Sequence, residues 1–274
     1  MVLFPNAKIN LGLNILRKRD DGYHDLETVF YPIGLKDGLE FIENKANRIN
    51  FTSSGIPLDI GIEENIVVKA FRLLAADFPL PGLDIHLHKV IPFGAGLGGG
   101  SSDAAFLLIG LNDYFNLGLT IDELKGYAFK LGADCSFFIE NRPAFATGIG
   151  EKLQTIDLSL KGYFMVLIKP PFGVGTKEAY AGIKPSVPKF PLFSSIKLPL
   201  EKWKESIVND FETSVFPLFP EIAQIKSRLS EMGAVYAAMS GSGSSVFGLF
   251  KHEPPINEDA FPADYFIWKE WISE

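Results

Sequence analysis

The chain has a single cysteine, Cys135, in 274 residues, so no intrachain disulfide can form. A protein that does without such staples fits a reducing compartment. The four histidines, His24, His86, His88 and His252, show no zinc-ligand spacing. His86 and His88 flank Leu87 in an alternating stretch and read as the solvated face of a strand. No apolar run approaches the roughly 18 residues of a membrane span. The first residues lack a basic stretch followed by an apolar one, so neither export nor a membrane is expected, and the cytoplasm is the expected location. Basic residues are outnumbered by acidic ones, 26 to 33, for a net charge of −7. A generally negative surface excludes nucleic acid or an anionic membrane as main partner, yet a small anionic ligand can still be held by a few local donors.

What is abundant is glycine in one place. Pro92, Phe93, Gly94, Ala95, Gly96, Leu97, Gly98, Gly99, Gly100, Ser101 and Ser102 put five glycines into seven positions just ahead of an apolar helical pattern. Without Cβ atoms such a loop can take positive φ and let backbone approach a ligand. The N–H groups of the following helical turn, with about half a positive charge from the macrodipole, attract an oxyanion. Ser101 and Ser102 are expected to cap the helix and to offer hydroxyls to a phosphate or a metal. The stretch therefore reads as a phosphate cradle. It contains a formal Gly94-x-Gly96-x-x-Gly99 match, but the acidic residue that a dinucleotide fold wants about 20 positions on is replaced by the start of a capped helix. No Gly-Lys-Ser/Thr follows the glycines, so positive charge must come from elsewhere in the fold.

The surroundings place this loop. Residues 8–16, 28–32 and 39–42 read as short strands, residues 63–77 as a helix with Val67, Phe71 and Leu74 on one face, and residues 84–91 as a strand entering the loop. Residues 102–115 continue as a helix. Thr120 and Glu123 form a capping-box spacing for a helix to Leu131, with Gly132 as its stop. The chain then reads as loop over 148–162 and as a buried strand over 163–168, which puts a domain boundary near 152. Pro220 opens a helix closed by Gly233, and a second glycine–serine turn, residues 240–245, feeds the strand 246–250. The tail from Lys251, rich in Pro, Phe and Trp, is expected to pack on the C-terminal domain and carries no functional reading.

Two charged residues stand out. Lys8 lies in Pro5-Asn6-Ala7-Lys8-Ile9-Asn10-Leu11, where it is either an exposed strand residue or the missing cation. Asp134, in Gly132-Ala133-Asp134-Cys135, is a carboxylate between a helix stop and a strongly apolar run, either a turn or capping aspartate or a functional group. Cys135 reads as a small buried hydrophobe. Asp103 reads as an acidic first-turn residue complementing its helix, with a metal-binding role as the alternative. The run Arg17-Lys18-Arg19 reads as a solvated loop, with attraction of an anionic substrate group as the alternative.

The segment from Pro5 to Leu11, Asp21-Gly22-Tyr23-His24, the glycine loop, Gly132-Ala133-Asp134, Asn209-Asp210-Phe211-Glu212 and Met239-Ser240-Gly241-Ser242-Gly243 together resemble the GHMP small-molecule kinases, in the right order over residues 4–250. The resemblance implies an α+β chain with the two-domain GHMP kinase fold. Its N-terminal ATP-binding and catalytic domain, 1–152, would be like the second domain of ribosomal protein S5, and an α+β substrate-binding domain would span 153–274. The Lys8/Asn10 segment with Asp-Gly-Tyr-His narrows it to the member that uses ATP to phosphorylate the 2-hydroxyl of a cytidine-diphosphate-linked methylerythritol in non-mevalonate isoprenoid synthesis. Carried over residue by residue, Asp134 matches the catalytic base and Lys8 its partner, and residues 92–102 match the ATP phosphate loop. Tyr23 and His24 match cytosine recognition, and Asn10, Thr176 and Tyr180 match further substrate contacts. Mg²⁺ is expected with ATP, its protein ligands unassigned, and the chain is expected as monomer or homodimer. Ser136 stands where the family often has proline. The rivals are a mevalonate or homoserine kinase, a nucleotide-binding regulator without catalysis, and an NAD-dependent oxidoreductase. The reading requires Lys8 and Asp134 to meet.

Overall fold

The computed structural model describes residues 1–58, 60–256 and 260–273. The first part of the chain forms β1 (Val2–Leu3), β2 (Asn6–Lys18), β3 (His24–Lys36), β4 (Gly38–Glu43), β5 (Asn50–Gly55), α1 (Ile66–Ala75), β6 (Leu83–Lys89) and α2 (Gly99–Phe115). There follow α3 (Ile121–Leu131), α4 (Cys135–Glu140), β7 (Ala144–Thr147), β8 (Lys152–Thr155), β9 (Phe164–Lys169) and α5 (Thr176–Ala181). The last part holds α6 (Leu192–Ser195), α7 (Trp203–Ser206), α8 (Phe211–Leu218), α9 (Pro220–Glu231), β10 (Tyr236–Met239), β11 (Val246–Phe250) and β12 (Phe266–Trp271).

These elements form two compact units, each assembled from separate stretches. One takes Met1–Lys8, Leu35–Pro92 and Gly98–Arg142; the other takes Ile9–Gly34, Phe93–Leu97 and the chain from Pro143 onward. Residue 152, where the linear reading places its boundary, opens β8, and β8 pairs with β7 from Ala144↔Thr155 to Thr147↔Lys152.

In the first unit the sheet order is β1-β4-β6-β5, antiparallel except for the parallel β5–β6 pair. The connection between those parallel strands carries α1, whose Asn65 cap accepts the Val67 N–H at 2.8 Å. Val67, Val68, Ala70, Phe71 and Leu74 bury its apolar face, as the helical spacing requires. The capping box of α3 forms in full: Thr120 Oγ1 accepts from Glu123 N at 3.3 Å, and Glu123 Oε2 accepts from Thr120 N at 2.8 Å. Gly132 closes this helix with φ 169°, an extended conformation and not a left-handed stop.

In the second unit all strands of the sheet β10-β11-β9-β12 run antiparallel. Every residue of β9 and β11 is buried, and Leu13, Ile15, Phe211, Val215, Ile222, Ile225 and Leu229 pack with Phe164, Val166, Ile168, Val246 and Phe250 in one core. A further sheet has the order β2-β3-β7-β8.

Two expectations are corrected. The helix after the glycines starts at Gly99, with Gly98 as its left-handed N-cap (φ 69°) and no side-chain cap, so Ser101 and Ser102 lie inside the helix. The stretch 148–162 is not all loop, because β8 completes a hairpin there. The tail packs on the second unit, as expected: β12 forms a sheet edge, pairing with β9 from Phe266↔Lys169 to Trp271↔Phe164.

Candidate active site

The glycine loop alternates: Gly94, Gly96 and Gly98 have φ of 58°, 71° and 69°. Only glycine takes such angles in succession without strain. At Gly98 there is a second constraint, since a Cβ would come within 3.0 Å of the Phe138 ring and 3.1 Å of Lys8 Cε. The bare backbone there leads straight into α2, whose first-turn N–H groups have no partner within the helix. One hydroxyl differs from expectation. Ser102 is fully buried and its Oγ has no hydrogen-bond partner among the described residues.

Lys8 and Asp134 belong to the first unit and meet there. Lys8 is 3% exposed on β2 and not on a wet strand face. Its Nζ lies 3.2 Å from Asp134 Oδ2, whose side chain is 36% exposed. Asp134 stands at the N-cap position of α4 but makes no side-chain cap bond, so its carboxylate is not consumed by the helix. Ser136, in place of the common proline, satisfies its hydroxyl by donating to Lys125 O at 3.1 Å. Cys135 is buried, as expected, and burial pushes its thiol up to about 11. A carboxylate held against an ammonium and open on one side can accept a proton from an alcohol while the cation offsets developing negative charge.

A second charged group went unnoticed in the sequence. Lys89, at the end of β6, donates from Nζ to Asp37 Oδ2 and, at 2.9 Å, to Asp103 Oδ2. Asp37 Oδ1 also accepts the N–H groups of Val90 at 2.6 Å and Ile91 at 2.9 Å, immediately before Pro92. All three side chains are at most 2% exposed, and Lys89 Nζ would lie 3.1 Å from a Cβ on Gly99. The triad thus ties the loop entry to the start of α2. Burial, helped by Asp37 and opposed by Lys89, pushes Asp103 from 3.8 up to about 8. Asp103 is therefore a buried member of an ion-paired cluster and not a solvated first-turn charge.

The first half of the loop, Phe93–Leu97, belongs to the second unit. There Ser240 Oγ donates to Gly96 O at 2.9 Å, and Ser244 and Ser245 donate their backbone N–H groups to Gly94 O and Ala95 O, each at 3.2 Å. A Cβ on Gly96 would overlap the Ser240 carbonyl oxygen. Asn10 is buried, its N–H reaching Ser240 Oγ at 3.2 Å and its amide donating to Thr28 Oγ1 at 2.9 Å.

In the same unit the His24 ring stacks on Tyr180, with centroids 4.7 Å apart and planes at 21°. Tyr180 packs edge-on against Phe211 at 4.8 Å. Burial, then Lys18, holds His24 below its ordinary 6.5. Tyr23 is 60% exposed beside this stack in sequence, and Thr176 is exposed at the first position of α5. Arg17 and Arg19 are occupied by acidic neighbours: Arg17 pairs with Asp25 at 2.6 Å, and Arg19 pairs with Asp21 at 2.7 Å and Asp25 at 3.3 Å. His86 and His88 share Ser54 on the polar face of β6, each at 2.9 Å. Among the described residues no group of three or more His, Cys, Asp or Glu is placed to hold a metal ion, and no helix is long and apolar enough to cross a membrane.

Comparison with known proteins gives a consistent answer. The sequence model of the GHMP kinases N terminal domain matches residues 65–142, and that of the GHMP kinases C terminal matches residues 195–260. A 4-diphosphocytidyl-2-C-methyl-D-erythritol kinase of Parabacteroides distasonis is 52% identical over 273 residues, covering 100% of both chains. One from Bacteroides fragilis is 54% identical over 272 residues, covering 98% of this chain and 99% of its own. A crystal structure of a 4-(cytidine 5'-diphospho)-2C-methyl-D-erythritol kinase superposes with a TM-score of 0.78 at 32% identity, covering 98% of each chain.

Proposed function

Because the chain belongs to the GHMP kinase family, and within it to the 4-diphosphocytidyl-2-C-methyl-D-erythritol kinases, we propose that it transfers the γ-phosphoryl group of ATP to the 2-hydroxyl of 4-(cytidine 5'-diphospho)-2-C-methyl-D-erythritol. The products are the 2-phosphate and ADP, in non-mevalonate isoprenoid precursor synthesis in the cytoplasm. A bond forms between the 2-oxygen and the γ-phosphorus, and the bond from that phosphorus to the β,γ-bridging oxygen breaks. The alcohol proton passes to the Asp134 carboxylate. Lys8 orients that carboxylate and offsets charge on the reacting oxygen and the γ-phosphoryl group. Phosphoryl transfer is loose, so holding the reactants in line contributes more than early deprotonation.

Residues 92–102 hold the ATP phosphates through backbone N–H groups and the start of α2. His24, Tyr180 and Tyr23 take the cytosine, a flat heteroaromatic with a polar edge, and Asn10 and Thr176 supply further polar contacts. Mg²⁺ accompanies ATP.

The observation that carries this reading is the Lys8–Asp134 pair, with the lysine stem lying against Gly98 of the loop. A coupled ADP-release assay with Mg²⁺–ATP tests it. Turnover is expected with the cytidine-diphospho acceptor and not with mevalonate, homoserine or galactose. Preference for one of the latter would move the chain to another acceptor within the family.

A further inference from the structure

We infer that Asn209 is a positioning residue for ATP: through the turn at 240–243 it sets the first half of the phosphate loop without itself touching a reactant. The inference rests on the reading of residues 92–102 as the ATP phosphate site.

Asn209 is 2% exposed and opens the segment Asn209-Asp210-Phe211-Glu212 ahead of α8. Its backbone is anchored on β2 by a parallel bridge to Leu13. Leu13 N donates to Val208 O at 2.9 Å, Asp210 N donates to Leu13 O at 2.8 Å, and Ile15 N donates to Asp210 Oδ2 at 2.7 Å. From this fixed base the Asn209 amide donates both hydrogens, to Met239 O and Gly241 O at 2.8 Å each, and its oxygen accepts from Phe211 N at 3.0 Å. Glu212 supports the same strand end by accepting the Met239 N–H at 2.9 Å.

The two carbonyls that Asn209 grips bracket Ser240, and Ser240 grips the loop through its hydroxyl on Gly96 O at 2.9 Å. With Ser244 N on Gly94 O and Ser245 N on Ala95 O, three successive loop carbonyls are engaged by one turn. In a trans peptide the C=O and the following N–H point in opposite directions. Fixing the carbonyls of 94–96 therefore turns the N–H groups of 95–97 away from the turn, which is how a loop of left-handed glycines, otherwise the softest backbone in the chain, acquires one orientation for its donors.

The test measures binding of a non-hydrolysable ATP analogue by titration calorimetry, alongside the acceptor KM and a thermal melt. Asn209→Leu removes both donors, and Ser240→Ala removes the hydroxyl on Gly96. Each is expected to weaken the analogue about tenfold, as loss of one or two neutral hydrogen bonds would, while the acceptor KM stays within about twofold. Because the two residues act in series, the double variant is expected to bind no worse than the weaker single variant. A folded Asn209→Leu enzyme with unchanged analogue affinity overturns the inference, as do effects that multiply in the double variant. If Asn209→Leu does not fold, unchanged affinity in Ser240→Ala overturns it. Failure of the unmutated chain to bind the analogue instead removes the phosphate-site reading on which the inference rests.

Discussion

Lys8 Nζ stands 3.2 Å from Asp134 Oδ2, yet only the carboxylate meets solvent, the side chains being 4% and 36% exposed. The asymmetry suits a pair in which the acid must reach an incoming alcohol and the cation must stay put. Asp134→Asn keeps shape and removes the proton acceptor. The kcat is expected to fall by about 10²-fold or more, the lower part of the general-base range, with a lowered thermal midpoint, since the buried Lys8 ammonium loses its charged partner. ADP-release kinetics and a thermal melt measure the two quantities. Near-parental turnover would remove the base assignment.

Gly96→Ala is expected to damage the loop twice over. A left-handed alanine costs roughly 1–2 kcal/mol, and its methyl would overlap the Ser240 carbonyl. The KM for ATP is expected to rise at least about tenfold, since the clash displaces the loop by more than the strain alone demands. Gly162→Ala is the control: its φ is 87°, but nothing lies within 4 Å of the added methyl. That variant is expected to lose comparable backbone stability with ATP kinetics unchanged.

The buried triad makes stability depend on pH. Asp103 is raised from 3.8 to about 8 in the folded chain, so between those values the folded state holds a proton that the unfolded state has released. The stabilisation is complete below the unfolded pKa and is lost as pH rises through the folded one. Denaturant titrations between pH 4 and 9 are expected to show this decline, and Asp103→Asn to flatten it. Lys89→Met, which leaves Asp37 and Asp103 buried without their shared cation, is expected to destabilise by about 3–5 kcal/mol. A parental stability profile in Asp103→Asn would refute the assignment.

Tyr180→Ala removes the ring stacked on His24. An aromatic platform contributes about 1–3 kcal/mol to a bound base, so the acceptor KM is expected to rise about tenfold while the KM for ATP holds. His24 is kept below 6.5 mainly by burial, so the acceptor KM is expected to stay flat above that pH and to rise as the ring becomes protonated on acidification. Loss of ATP affinity in place of acceptor affinity would argue against the cytosine role.

Local chemistry made much of this architecture readable. The Thr120–Glu123 box, the apolar run of β9 and the glycine loop each announce themselves because a few neighbouring residues decide their conformation. Ser101 and Ser102 misled because the usual capping residues follow glycines able to cap by conformation alone, which puts the helix start at Gly99. Lys89 left a signal that was overlooked: it continues the buried parity of Leu83, Ile85 and Leu87, opposite Asp84, His86 and His88. Asp37, 52 residues away, and the carbonyls that Asn209 grips, 30 and 32 residues away, leave no local trace. β12 was illegible because an edge strand with no fully buried residue carries little apolar contrast.

The interleaved make-up of the second unit bears on how the molecule comes off the ribosome. Leu13, Ile15 and Leu26 emerge among the first residues, but the side chains that cover them run from Phe164 to Phe261. Through much of translation these early strands therefore travel with a bare apolar face, the kind of surface that nascent-chain chaperones shield. A chain halted before β9 would keep its glycine loop and remain without the cover that its opening strands await.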